Sequence, residues 1–253
     1  MATQLRILFA LMMREMSTRF GRSAGGFVWA FLEPVGYITL LSVVFVLLSR
    51  SPPLGQSFPL FFAAGFLPYY VFRTTSGMTA TAIRFNQALL TYPSVTPIDT
   101  ALARFLLQFL TTALITILIL SALLAWQGEW PVIRPVFLIQ AFLLASLLGL
   151  GIGLLNAVLF CFSPTWERVY GILTQPLFII SGIFYLADLL PAEVRDPLHW
   201  NPIVHLVAIM RKGVFAHYDA PQAEPLYVFV IAAFCLLPGL FFLRAFRARL
   251  TEQ

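Results

Sequence analysis

Lysine is almost missing from this chain: lysine and arginine together number 16, and Lys212 is the only lysine. Acids are scarcer, at 11, and charged residues fill only 11% of 253 positions. Soluble domains carry about 25%, so a molecule with water on all sides is excluded. The two cysteines, Cys161 and Cys235, both fall within long apolar stretches. They read as buried thiols, not as a disulfide framework or a metal site. The three histidines form no H-E-x-x-H or other metal-ligand cluster, so no metal is expected. There is also no G-x-x-x-x-G-K-[ST] phosphate loop, so any ATP must be held by another chain. No internal repeat is visible, which argues against an inverted-repeat carrier.

Apolar length is what the chain does have. Hydrophobic residues make up 60% of it and the mean hydropathy is +0.87. Runs able to cross about 30 Å of hydrocarbon lie near 27–49, 58–80, 105–126, 136–162, 169–187 and 226–243. The third and fourth carry no charge, whereas Pro176 and Pro238 interrupt the last two, as neighbouring helices in a bundle permit. The fold class expected is all-α, a polytopic membrane protein with six transmembrane helices. With the N-terminus inside, the inner segments hold ten arginines (6, 14, 19, 22, 84, 104, 168, 244, 247 and 249). The outer ones hold Arg50, Arg134, Arg195, Arg211 and Lys212. That bias places both termini in the cytoplasm. Trp29, Trp126, Trp130, Trp166 and Trp200 fall at or beyond span ends, as an aromatic belt does. The basic balance therefore reflects topology and anionic headgroups, not nucleic acid. The N-terminal apolar stretch, residues 7–13, is too short for a cleavable signal and has arginines downstream.

Three segments outside the spans have their own character. Residues 4–20 place Leu5, Phe9, Met12, Met16 and Phe20 at helical spacing, with Arg6, Arg14 and Arg19 left for water. This amphipathic helix, taken as 1–22, reads either as a membrane anchor or as an interface helix that also touches a cytoplasmic partner. The inner loop 81–103 contains I-R-F-N-Q-A-L-L-T-Y-P, a short amphipathic helix ended by Tyr92-Pro93. Asp99 or Thr96 then caps the next helix, with Pro97 in its first turn. In the outer segment 188–216, Asn201-Pro202 starts an apolar helix of about 14 residues, too short to cross. Together with L-L-P-A-E-V-R-D-P it forms a re-entrant helical hairpin.

Several side chains stand out as candidates, each with two readings. Glu33-Pro34 is either a helix start or an acid that pairs with an arginine at a lateral opening. Arg73 either snorkels to the inner headgroups or lines the path with Tyr69, Tyr70 and Phe72, whose rings offer faces to a sliding sugar. Arg19 and Arg22 either grip a lipid phosphate bidentately or serve as plain positive-inside charges. His205 is a structural residue or a proton sensor. Glu167 and Arg168, on a short inner loop after Pro164, contact a partner or each other.

R-E-M-S-T-R-F-G-R (14–22), W-A-F-L-E-P (29–34), T-P-I-D-T-A-L-A-R (96–104) and W-N-P-I-V-H (200–205) occur in an order and spacing that resemble one family over nearly the whole chain. It is the permease subunit of capsular polysaccharide ABC exporters, the KpsM and BexB type within the ABC-2 family. The resemblance implies a single ABC-2 type transmembrane domain over 1–253 that is not an enzyme. It implies a homodimer, a separate ABC ATPase homodimer that binds ATP and Mg, and a location in the bacterial inner membrane. The cargo implied is a lipid-linked, usually acidic, polysaccharide. A periplasmic co-polymerase and an outer-membrane exporter are the further partners implied. In its terms Arg84, Phe85, Asn86 and Gln87, with Glu167 and Arg168, couple to the ATPase. Arg19, Arg22, Glu33, Tyr69, Tyr70 and Arg73 form the entrance and path. The exit segment holds Trp200, His205, Arg211 and Lys212. Gly25-Gly26 departs from the family pattern, which has a bulkier residue there, and makes a more flexible hinge. Export of O-antigen or teichoic-acid polymers is the near alternative. A membrane enzyme on lipid-linked sugars is the distant one, lacking a convergent set of acids or histidines.

Overall fold

Proline starts most of the long helices. Pro97, Pro135, Pro164, Pro202 and Pro225 each occupy a first turn, where a missing N–H leaves nothing unsatisfied. The computed structural model describes residues 2–20, 26–48, 51–92, 95–127, 133–247 and 250. Among these residues every regular element is helical, in the order α1 (Ala2–Phe20), α2 (Gly26–Leu48), α3 (Phe58–Ala80), α4 (Ala82–Phe85), α5 (Gln87–Leu90), α6 (Pro97–Trp126), α7 (Pro135–Phe162), α8 (Pro164–Ile180), α9 (Ala192–Leu198), α10 (Pro202–Val214) and α11 (Pro225–Ala245). Four of them, α2, α6, α7 and α11, are long and apolar enough to cross a membrane.

The centre of the bundle is α3, buried from Phe58 to Ala80 with few gaps. It packs on α7, α6 and α10. A stripe of glycines makes the closest approaches possible. A Cβ on Gly153 would lie 2.6 Å from Thr79 Cβ, one on Gly151 2.6 Å from the Ala232 carbonyl, and one on Gly149 2.9 Å from the Phe72 carbonyl. So α7 meets α3 on one side and α11 on the other nearly backbone to backbone, as small residues allow between apolar helices. Two cores result. The larger surrounds α3 and α10, and the smaller joins Leu11 of α1, Ile83, Leu90, Leu154 and Leu243 at the other end.

Several expectations change. Helix α2 begins at Gly26, so Glu33 and Pro34 lie inside it and do not start it; the rest of the glycine hinge, with Arg22, falls outside the described residues. Helix α8 occupies 164–180, not 169–187, because Ser163 caps it and Pro164 opens it. Glu167 and Arg168 therefore sit in a helical turn, not on a loop. The connector after α3 is two short turns, broken at Asn86. Asn86 Nδ2 donates to the Ala82 carbonyl at 3.0 Å, a local bond that competes with continuing the helix; Pro93 is outside the described residues. Helix α6 starts on a full capping box, Thr96 with Asp99. The buried face of α1 runs through Leu11 and Glu15, while Phe9 points outward; the Leu5 and Phe20 side chains are not described.

Candidate functional site

Chemistry gathers at the end of the bundle that carries α1, α4 and α5. Arg84 on α4 forms an ion pair with Glu167 in the first turn of α8, both partly exposed. Phe85 and Gln87 beside it are exposed. Asn86 is not: it is 3% exposed, and its side chain faces α1. Its Nδ2 donates to Glu15 Oε1 at 2.8 Å and its Oδ1 accepts from Arg14 Nη1 at 2.9 Å. Glu15 is 9% exposed and Arg104, on α6, 5%. Arg104 Nη1 donates to Thr81 Oγ1 at 3.2 Å, and its guanidinium lies 4.7 Å from the Phe85 ring centre.

Helix α8 is tied to α3 and α7 by hydrogen bonds from its first two turns, and near its other end Leu177 and Phe178 pack partly buried on the core. Trp166 Nε1 donates to Asn156 Oδ1 at 2.9 Å, so this tryptophan turns into the bundle and not into an aromatic belt. Tyr170 and Ser76 share a hydrogen bond of 2.9 Å. No residue of α8 is fully buried, although ordinary packing would bury a stripe of a bundle helix. Trp29, Trp126 and Trp200 are strongly exposed, and Trp130 is outside the described residues.

Between α8 and α3 runs a groove of about 560 Å³. Phe66, Tyr69 and Phe178 supply its rings, with Tyr69 and Phe178 centroids 5.5 Å apart. Arg73, Arg168 and Gln175 supply its polar groups. A neighbouring cavity of about 230 Å³ shares Tyr69 and Arg73 and reaches Glu167, the acid paired with Arg84. Arg73 is exposed to this groove rather than sealed in the core. Arg168, expected at the coupling loop, stands in the groove with it.

The remaining expected residues are dispersed. Tyr70 is buried and donates to the Ala30 carbonyl at 3.1 Å, facing α2 and not the groove. Arg19 donates to Gln108 Oε1 at 2.6 Å. Burial lowers its pKa, while Tyr70, Glu15 and Glu33 lie near enough to favour its charged form. Glu33 itself is exposed.

At the opposite end Trp200 is 80% exposed, but His205 and Arg211 are buried. The Glu224 amide donates to His205 Nδ1 at 3.1 Å. That leaves Nε2, 2.8 Å from the His199 carbonyl, as the protonated nitrogen of a neutral ring. Arg211 donates to the Tyr185 and Ile183 carbonyls at 2.8 and 2.9 Å and stacks over Phe61. It is a pin inside the bundle. Lys212 sits 4.8 Å from the Phe137 ring centre. Tyr218 donates to Asp188, and burial first, then this bond, raises the phenol's pKa. Both cysteines are half-buried free thiols.

Sequence reasoning passed over Glu15, Asn156, Ser76 and Tyr170, and treated Arg104 as a topology marker. The signals were slight: an acid flanked by arginines on an amphipathic helix, and an arginine directly before an apolar run. No metal-binding cluster exists among the described residues.

The family profile described as ABC-2 type transporter matches residues 6–215. The polysialic acid transport protein KpsM of Escherichia coli is 33% identical over 91% of this chain and 90% of its own. The capsule polysaccharide export inner-membrane protein CtrC of Neisseria meningitidis serogroup B is 30% identical, covering 95% and 91%. The capsule polysaccharide export inner-membrane protein BexB of Haemophilus influenzae is 26% identical over 100% and 96%.

Proposed function

This chain belongs to the ABC-2 type transporter family, and from that premise we propose that it is the permease subunit of an exporter that moves a lipid-linked polysaccharide outward across a bacterial inner membrane. A separate ATPase, holding ATP and Mg, drives it. The observation that carries this reading is the continuity from Arg84 through Glu167 to the groove. One wall of a cation-and-aromatic groove is clasped by charge to the exposed turn where a partner docks. The roles of the related proteins, capsule polysaccharide export and polysialic acid transport, support the polymer as cargo.

Six helices cross in this reading: α2, α3, α6, α7, α8 and α11, within one domain over 1–253. At 1.5 Å per residue the 17 residues of α8 span roughly 26 Å, close to the hydrocarbon thickness. Helix α3 is polar in places, but its own neighbours shield it. Helix α1 lies on the cytoplasmic face, both termini are cytoplasmic, and α9 with α10 form the re-entrant exit hairpin. The apolar, unburied body of α8 faces a second copy across the path, which makes the permease a homodimer. Sugar rings slide over Tyr69 and its aromatic neighbours, while Arg73 and Arg168 hold acidic groups weakly and repeatedly, since a tight site would stall a polymer. A periplasmic co-polymerase and an outer-membrane exporter receive the cargo.

The test is ATP-dependent transfer of labelled lipid-linked polysaccharide into inverted vesicles that contain the chain and its ATPase. Wild-type protein is expected to transfer polymer. The double variant Arg84→Ala with Phe85→Ala is expected to hydrolyse ATP without transfer. Wild-type transfer by that variant would falsify the placing of the coupling turn.

A further inference from the structure

Glu15 is the one acid in a helix otherwise rich in arginine, and it is turned inward. Its Oε1 is contested. Asn86 Nδ2 holds it by a hydrogen bond of 2.8 Å from the α4–α5 turn. Arg104 Nε, on α6, stands 3.4 Å from the same oxygen. That second contact is incomplete, because Arg104 Nε makes no hydrogen bond among the described residues. A buried guanidinium is stable when its forked donors meet a carboxylate in full, so the present arrangement leaves a stronger pairing unmade. The loop's asparagine holds the shared oxygen the more closely of the two.

The other bonds around this point sort into fixed and movable. Fixed on α6, Arg104 donates to Thr81 Oγ1 and lies over Phe85, both of which belong to the connector that moves. Asn86 is held additionally by Arg14 and by its own Ala82 carbonyl. Of these two, Ala82 belongs to the loop and would travel with it, whereas Arg14 stays on α1. A shift of the loop away from α1 therefore breaks the bonds of Asn86 to Glu15 and Arg14 and draws Thr81 and Phe85 away from Arg104. It leaves the Glu15 carboxylate free to close on Arg104, with which it now shares only a loose ion pair of 3.4 Å.

We propose that Glu15 and Arg104 are positioning residues of the transport cycle, with Glu15 acting as an exchangeable tie. Its carboxylate holds the coupling turn through Asn86 in this state and passes to Arg104 when the turn is displaced. The exchange gives α1 and α6 two discrete arrangements, which is what transmission between distant sites requires. It rests on the proposed function in one respect: the force on the turn comes from a docked ATPase.

Two readouts on the full complex test this. The first uses spin labels at the exposed positions Ser17 and Ala88, in a background with Cys161→Ser and Cys235→Ser. The label separation is expected to change when ATP is bound in wild type and to stay fixed in Glu15→Gln, which keeps an acceptor for Asn86 but removes the charge Arg104 needs. The second is polymer transferred per ATP hydrolysed. It is expected to fall at least about fivefold, the lower end for coupled sites, in Glu15→Gln and in Arg104→Met. The double variant should be no worse than either single one. An ATP-dependent separation that is the same in Glu15→Gln as in wild type overturns the proposal, as do single effects that simply multiply. If wild type moves no polymer yet its label separation responds to ATP and Glu15→Gln abolishes the response, the cargo reading fails and the tie stands.

Discussion

In the proposed function, Arg73 and Arg168 are the residues that would discriminate between cargoes. Both are exposed to the groove, so water screens them, and an exposed charge contributes roughly 0.2–1 kcal/mol. Replacing either by glutamine is therefore expected to slow transfer of an acidic polymer by up to about fivefold. The rate for a neutral polymer should be nearly unchanged, and the difference should shrink as salt rises. Initial rates into inverted vesicles at two ionic strengths check this, and equal losses for both polymers would remove the groove from the path. That Arg73 would not be sealed in the core was legible in the sequence, since an intramembrane arginine seldom lies in lipid or in an apolar core without a partner. Arg168 was read toward the loop because its helix was placed five residues too late. Ser163 and Pro164 carried the correct start, as a cap and a first-turn proline.

At the scale of elements, the fold depends on how closely α7 approaches its neighbours. Gly149, Gly151 and Gly153 face α3 and α11 in alternation, and each would collide with backbone or a β-branched side chain if given a Cβ. Gly153→Leu is expected to force α3 and α7 apart at a cost of about 1–3 kcal/mol. A fall in the midpoint of thermal aggregation in detergent would register it. Gly171 on α8, where an added Cβ would meet nothing within 4 Å, should accept alanine without loss of stability and serves as the control. Helix caps were the most readable elements: Thr96 with Asp99, and Asn201 with Pro202, stand where their residue types predict. The connector was read as one helix because periodicity reports which face is apolar. It does not report that Asn86 will spend its amide on Ala82 and on another helix.

For the whole molecule, sidedness is the claim to test. An impermeant maleimide is expected to label Glu193→Cys in intact spheroplasts and Gln4→Cys only after lysis, in the same cysteine-free background. Labelling of both from outside would invert the topology. The sequence by itself determined that this is a helical membrane protein and roughly where four apolar helices long enough to cross, α2, α6, α7 and α11, lie, because the bilayer imposes length and apolarity on each segment separately. It also carried the family, through motifs that are contiguous in the chain. What only the tertiary structure decided is which polar groups meet. Arg84 finds Glu167, Glu15 finds Asn86 and Arg104, Tyr170 finds Ser76, and Arg211 is swallowed by α10's neighbours. Those partners lie far apart in sequence. A buried polar group takes whichever partner packing places within about 3 Å, and only the assembled bundle fixes that.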